Sequence, residues 1–123
     1  MKQFLLVFLG GGLGSVLRFW MSKTFNPYFS NFYLGTFSVN ILGCLLIGFI
    51  LGLSMKNDLL SQNQTILLTT GFCGGFTTFS TFALEGHLLL KDSDLVHFSF
   101  YTICSILVGL LAVTLGLWIS KLL

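Results

Sequence analysis

The chain has 123 residues, of which 54% are hydrophobic, 8% are Asp, Glu, Lys or Arg, and one is proline. A soluble domain is about 25% charged and a disordered one is poor in apolar residues, so this composition argues against a soluble enzyme and against disorder. Six basic residues scattered along the chain form no basic patch, which argues against nucleic-acid binding.

Four stretches exceed the ~20 apolar residues that a helix needs to cross the hydrocarbon core. They are expected at about 3–23, 32–55, 65–90 and 95–120, and together they make residues 1–123 a single all-α transmembrane domain. The first span contains Gly10, Gly11, Gly12 and Gly14 and carries Arg18 in its last turns. Met1-Lys2 before an apolar run resembles a signal peptide, yet Arg18 and the three spans that follow point to a retained helix. A polar connector with Pro27, the only proline, leads to the second span, and Lys56, Asn57, Asp58, Ser61, Gln62, Asn63 and Gln64 make the second connector. Asn63-Gln64-Thr65 is a formal glycosylation sequon, a short motif that carries little by itself. The third span ends at a short turn near Lys91, and the fourth stops at Lys121. Cys44, Cys73 and Cys104 lie singly in apolar stretches with no metal-ligand spacing and read as small buried hydrophobes.

Charge gives no orientation. With both termini on one side, Lys2, Lys56 and Lys121 share that side, and Arg18, Lys23 and Lys91 share the other. Orientation follows the Lys/Arg excess of short cytoplasmic loops, and here the two sides tie. A chance tie is one reading; insertion both ways, with assembly as an antiparallel dimer, is the other. Gly10-x-x-x-Gly14, Gly48-x-x-x-Gly52 and Gly71-x-x-x-Gly75 allow close helix approach and are compatible with such an oligomer.

Polar groups inside the spans carry the functional reading, because membrane helices hide them unless a function needs them. Gly74 and Gly75, followed by Thr77, Thr78, Ser80 and Thr81, make a poor continuous helix near the middle of the third span. A break there would free backbone carbonyls, which are tolerated only in protein or facing an ion or water. Two such breaks facing each other in an antiparallel dimer would offer hard oxygens to a small cation. The alternative is glycine packing with the hydroxyls bonded back to the preceding turn. Phe79 and Phe82 share one helix face, and ring edges are weakly positive.

Asn40, with Thr36 one turn before it, either donates to a dehydrating anion or clasps another helix. Tyr101 and Ser105 share a face of the fourth span, with Gly109 a turn later, and Glu85 is the only acidic residue inside a span. Arg18 either snorkels to the interface or attracts anions at an entrance. Donors, ring edges and a basic residue, with no acidic group at the centre, favour a small anion over a cation or proton relay.

These residues resemble the bacterial fluoride channel family, called Fluc or CrcB. The resemblance covers essentially the whole chain. It rests on Gly11-Gly12-Leu13-Gly14-Ser15-Val16-Leu17-Arg18-Phe19, on Gly35-Thr36-Phe37-Ser38-Val39-Asn40-Ile41-Leu42-Gly43, on the run from Gly71 to Phe82, and on Tyr101-x-x-x-Ser105. The resemblance implies a dual-topology antiparallel homodimer in the bacterial inner membrane, in contact with lipid, passing fluoride passively out of the cell through two pores. It implies that Phe79, Phe82 and Asn40 line the pore and that Thr81, Tyr101, Ser105 and Glu85 belong to a polar track. It further implies that Arg18 lies in the vestibule and that the backbone carbonyls of Gly74 and Thr77 hold a central structural Na⁺. Some family members carry a second serine where this chain has Gly109, so that stretch of the track departs from the pattern. Two other readings remain at this point. A small dual-topology proton-coupled exporter would need an acidic residue in its first helix, which this chain lacks. A non-transporting membrane assembly subunit would need only the glycine pairs.

Overall fold

The computed structural model describes residues 1–56 and 59–123; Asn57 and Asp58 of the second connector lie outside the described residues. Among the described residues all regular structure is helical. Four helical segments are long and apolar enough to cross a membrane, so the chain is a multi-pass membrane protein.

The first is α1 (Lys2–Phe25), followed by a 3-10 turn (Asn26–Tyr28). Pro27 fits this turn because its ring fixes φ and its missing N–H is not needed at a helix start. Next is α2 (Leu34–Met55). The third span is composite: α3 (Gln62–Ile66), a π-helical segment (Leu67–Cys73), α4 (Gly74–Phe76) and α5 (Phe79–Lys91). Ser61 starts α3 with a reciprocal capping box to Gln64. The last element, α6 (Leu95–Leu122), starts on Asp94, whose side chain accepts from the His97 amide.

The helices pair as α1 against the third span and α2 along α6. Glycine makes both contacts possible. A Cβ at Gly71 would stand 3.2 Å from Gly10 Cα, one at Gly75 would stand 2.8 Å from Gly11 Cα, and one at Gly52 would stand 2.7 Å from Ser120 Cβ. At Gly48 and Gly116 a Cβ would collide with backbone of the opposite helix, α6 and α2 respectively. The three small-xxx-small pairs are therefore used within one protomer. The sequence made these pairs compatible with an oligomer without requiring one, and a glycine face filled by its own chain is closed to a partner.

The expected interruption of the third span is present. Thr77 (φ −83°, ψ 160°) and Thr78 (φ −149°, ψ 122°) are extended, and α5 restarts with the Thr78 hydroxyl accepting from the Thr81 amide at 3.2 Å. Low helix propensity at Gly74 and Gly75 and a capping threonine explain where the helix stops and restarts.

Candidate functional site

Four elements meet at the break. Asn40 on α2 reaches across to Thr78, where its Oδ1 accepts from the Thr78 amide at 2.8 Å and its Nδ2 donates to the Thr78 carbonyl at 3.1 Å. One side chain thus replaces both backbone partners that the interruption removes, which matters where no water can do so. From α1, Arg18 Nε donates to the Gly75 carbonyl at 3.0 Å and Ser15 Oγ to the same oxygen at 3.3 Å. In a continuous helix that carbonyl would serve an amide four residues on; the break leaves it to the guanidinium. Thr77 Oγ1 bonds back to the Cys73 carbonyl at 2.9 Å. Among the described residues no hydrogen bond ends on the carbonyl oxygens of Gly74 or Thr77.

A groove of about 710 Å³ runs beside the break. Asn40, Gly74, Thr77, Thr78, Phe79, Phe82 and Ser105 are on its wall. Phe79 and Phe82 lie with ring centroids 5.9 Å apart, and Phe79 is 79% exposed in the single protomer. Among the described residues the Ser105 hydroxyl is buried without a hydrogen-bond partner, an unused donor on a wall that is otherwise mostly apolar. Asn40 retains one N–H beyond its bond to Thr78.

A second polar cluster lies behind Phe82. Its ring packs on Tyr101 at 5.3 Å between centroids, and the fully buried Tyr101 donates its hydroxyl to Glu85 Oε2 at 2.7 Å. Thr36 Oγ1 donates to Glu85 Oε1 at 2.6 Å. Glu85 is 5% exposed, and its carboxylate is held by donors on both oxygens, as a buried acid must be. Phe32 meets Tyr101 edge to face at 5.3 Å.

The groove thus unites Asn40, Phe79, Phe82 and Ser105 with the two carbonyl residues Gly74 and Thr77. Tyr101 and Glu85 sit behind its wall, Thr81 hydrogen-bonds Thr78, and Arg18 is committed to the break. Sequence reasoning missed Ser15 and Asn26. The only signal for Asn26 was its place before the sole proline, where a turn residue needs no further explanation.

A family profile described as "CrcB-like protein, Camphor Resistance (CrcB)" matches residues 5–117. A "Fluoride-specific ion channel FluC" of Phocaeicola vulgatus is 47% identical over 122 residues, covering 98% of this chain and 100% of that protein. Proteins of the same description from Azobacteroides pseudotrichonymphae and Gloeothece citriformis are each 47% identical, over 117 and 122 residues. They cover 94% and 98% of this chain, and the same shares of their own lengths. With four spans, a clasped break and a donor-lined groove in place, the chain belongs to the CrcB family.

Proposed function

We propose that this protein is a fluoride-selective channel, not an enzyme, which lets fluoride leave the cell passively. The observation that carries the reading is the groove wall: two phenyl rings, an unpartnered serine hydroxyl and a spare amide N–H, with no acidic side chain on it among the described residues. Fluoride holds its water tightly, so a pore must replace that water with fixed donors yet bind weakly enough to release the ion. Neutral hydroxyl and amide donors supply the first requirement. Phenyl edges, weakly positive and without a full charge, supply the second. Ser105 and Asn40 would donate, Phe79 and Phe82 would line the path, and Tyr101 would brace Phe82 from behind.

The groove of one protomer is open, and Phe79 on its wall is largely bare. Two copies inserted in opposite senses, as the charge tie allows, would close two such grooves into two pores. The carbonyls of Gly74 and Thr77 fit a role in holding a structural Na⁺ at the centre of that dimer, because they are hard oxygens without internal donors at an interrupted helix. Bound there, the ion would supply positive charge that offsets the gathered carbonyl dipoles. A proton-coupled exporter is disfavoured by the placement of Glu85, which is buried and bonded through both oxygens to protein donors.

The test is fluoride efflux from liposomes that contain the purified protein, followed with a fluoride electrode after valinomycin clamps the potassium potential. Release well above that of empty vesicles, with chloride retained, is expected. No release above empty vesicles, or equal loss of chloride, overturns the reading.

A further inference from the structure

Asn26 belongs to none of the motifs above. It sits half-buried at the turn that joins α1 to α2. Its Oδ1 accepts from two amides that open α2, Gly35 at 2.7 Å and Thr36 at 3.2 Å. A helix start leaves four such amides without internal partners, and Tyr33 at the N-cap position offers no side-chain cap. The Nδ2 of the same side chain faces Glu85 Oε1 at 3.5 Å, the oxygen that also takes the Thr36 hydroxyl. Gly35 makes room for this, since a Cβ there would lie 2.7 Å from Asn26 Oδ1 and 2.6 Å from Ser22 Cα. One amide therefore ties the first connector to the start of α2 and to the acid of α5.

We infer that Asn26 is a positioning residue for conduction: through Thr36 it holds the Glu85 carboxylate turned towards Tyr101 and away from the anion path. The inference rests on the channel reading above. A carboxylate beside an anion path repels the ion unless its charge is directed elsewhere and its lone pairs are occupied. Glu is long and rotatable, so the orientation needs donors fixed by backbone. Thr36 is such a donor because its own amide is pinned by Asn26. Only an amide serves both ends, accepting at the helix start and donating towards the acid. Aspartate would keep the cap, lose the donor and place a second carboxylate beside Glu85.

The experiment compares fluoride efflux for wild type, Asn26→Asp, Glu85→Gln and the Asn26→Asp/Glu85→Gln double variant, in which the glutamine amide can donate to the aspartate. Asn26→Asp is expected to slow efflux at least about tenfold, the effect of a modest barrier increase. The double variant is expected to recover clearly over Asn26→Asp, which a purely structural role would not produce. If Asn26→Asp does not yield folded protein, Asn26→Ser, which keeps a short acceptor but is too short to reach Glu85, takes its place as a single variant expected to slow efflux. A second readout is independent of transport: the infrared carboxylate band of Glu85, assigned by its loss in Glu85→Gln, is expected to shift in Asn26→Asp or Asn26→Ser. Wild-type efflux in the Asn26 variant, a double variant no faster than Asn26→Asp, or an unmoved Glu85 band overturns the inference. A wild-type protein that releases no fluoride sinks the channel reading instead, and the infrared band still decides whether Asn26 orients Glu85.

Discussion

Replacing Asn40 with leucine removes both bonds that hold the interrupted backbone while nearly preserving side-chain volume. The Thr78 amide and carbonyl then lose partners at 2.8 and 3.1 Å. Each buried group left unsatisfied costs about 1–3 kcal/mol, so the pair is worth about 2–6 kcal/mol. Both bonds are only part-buried, which places the expectation at the lower end, about 2 kcal/mol or roughly a 30-fold loss of the broken conformation. The chain can recover one bond by turning the Thr78 amide back to the Gly74 carbonyl, which would close the interruption and occupy an oxygen that the proposed Na⁺ would need. Fluoride efflux from liposomes should therefore fall, by up to about that factor, while size-exclusion chromatography still shows the wild-type assembly. Asn40→Asp separates the roles: it keeps the acceptor for the Thr78 amide but sets a negative charge on the groove, so it should conduct no better than Asn40→Leu. Wild-type efflux in Asn40→Leu would refute the view that this side chain keeps the break open.

Arg18→Ala should lower the thermal midpoint in detergent, since a hydrogen bond from a charged donor contributes about 1.5–3 kcal/mol and only Ser15 remains on the Gly75 carbonyl; an unchanged midpoint would count against the clamp. Gly109→Ser should be accommodated, because a Cβ there meets Cys44 Sγ at 3.6 Å, an ordinary contact, and the added hydroxyl should raise fluoride efflux. Slower efflux would show that the track does not pass this turn. Asp94, outside the spans, has its carboxyl held below the usual range first by the His97 side chain and then by the His97 amide. Its folded value is depressed, so the cap on α6 contributes fully above the unfolded carboxylate value of about 3.9 and fades as pH falls through the lower folded value. The midpoint difference between wild type and Asp94→Ala should still be present at the unfolded carboxylate value and shrink only in stronger acid.

The four spans were legible because apolar length alone identifies them, and the interruption was legible because two glycines before a run of hydroxyls disfavour a helix at that point. What the hydroxyls and polar groups touch was not legible. Asn40 could be read as an anion donor or as a clasp, and its partner Thr78 lies 38 residues away, a relation that only the packing of α2 against the third span creates. Arg18 looked like an interfacial cation; its bond to the Gly75 carbonyl depends on α1 lying close enough over Gly71 and Gly75 for the guanidinium to arrive. The glycine pairs left a similar choice open, since spacing reports that a helix can be approached closely but not by which chain. Thr36 was grouped with Asn40 as an anion donor or a clasp; it is fully buried and its hydroxyl serves Glu85.

On the proposal above, two inverted copies complete the conduction path. Four spans return the chain to its starting side, so two copies joined directly end to end must be parallel, whereas one extra transmembrane helix in the linker inverts the second copy. Fluoride efflux from vesicles holding at most a single tandem each compares the two fusions directly. The fusion with the extra helix should empty its vesicles and the direct fusion should not; equal release by the direct fusion would show that inversion is not needed.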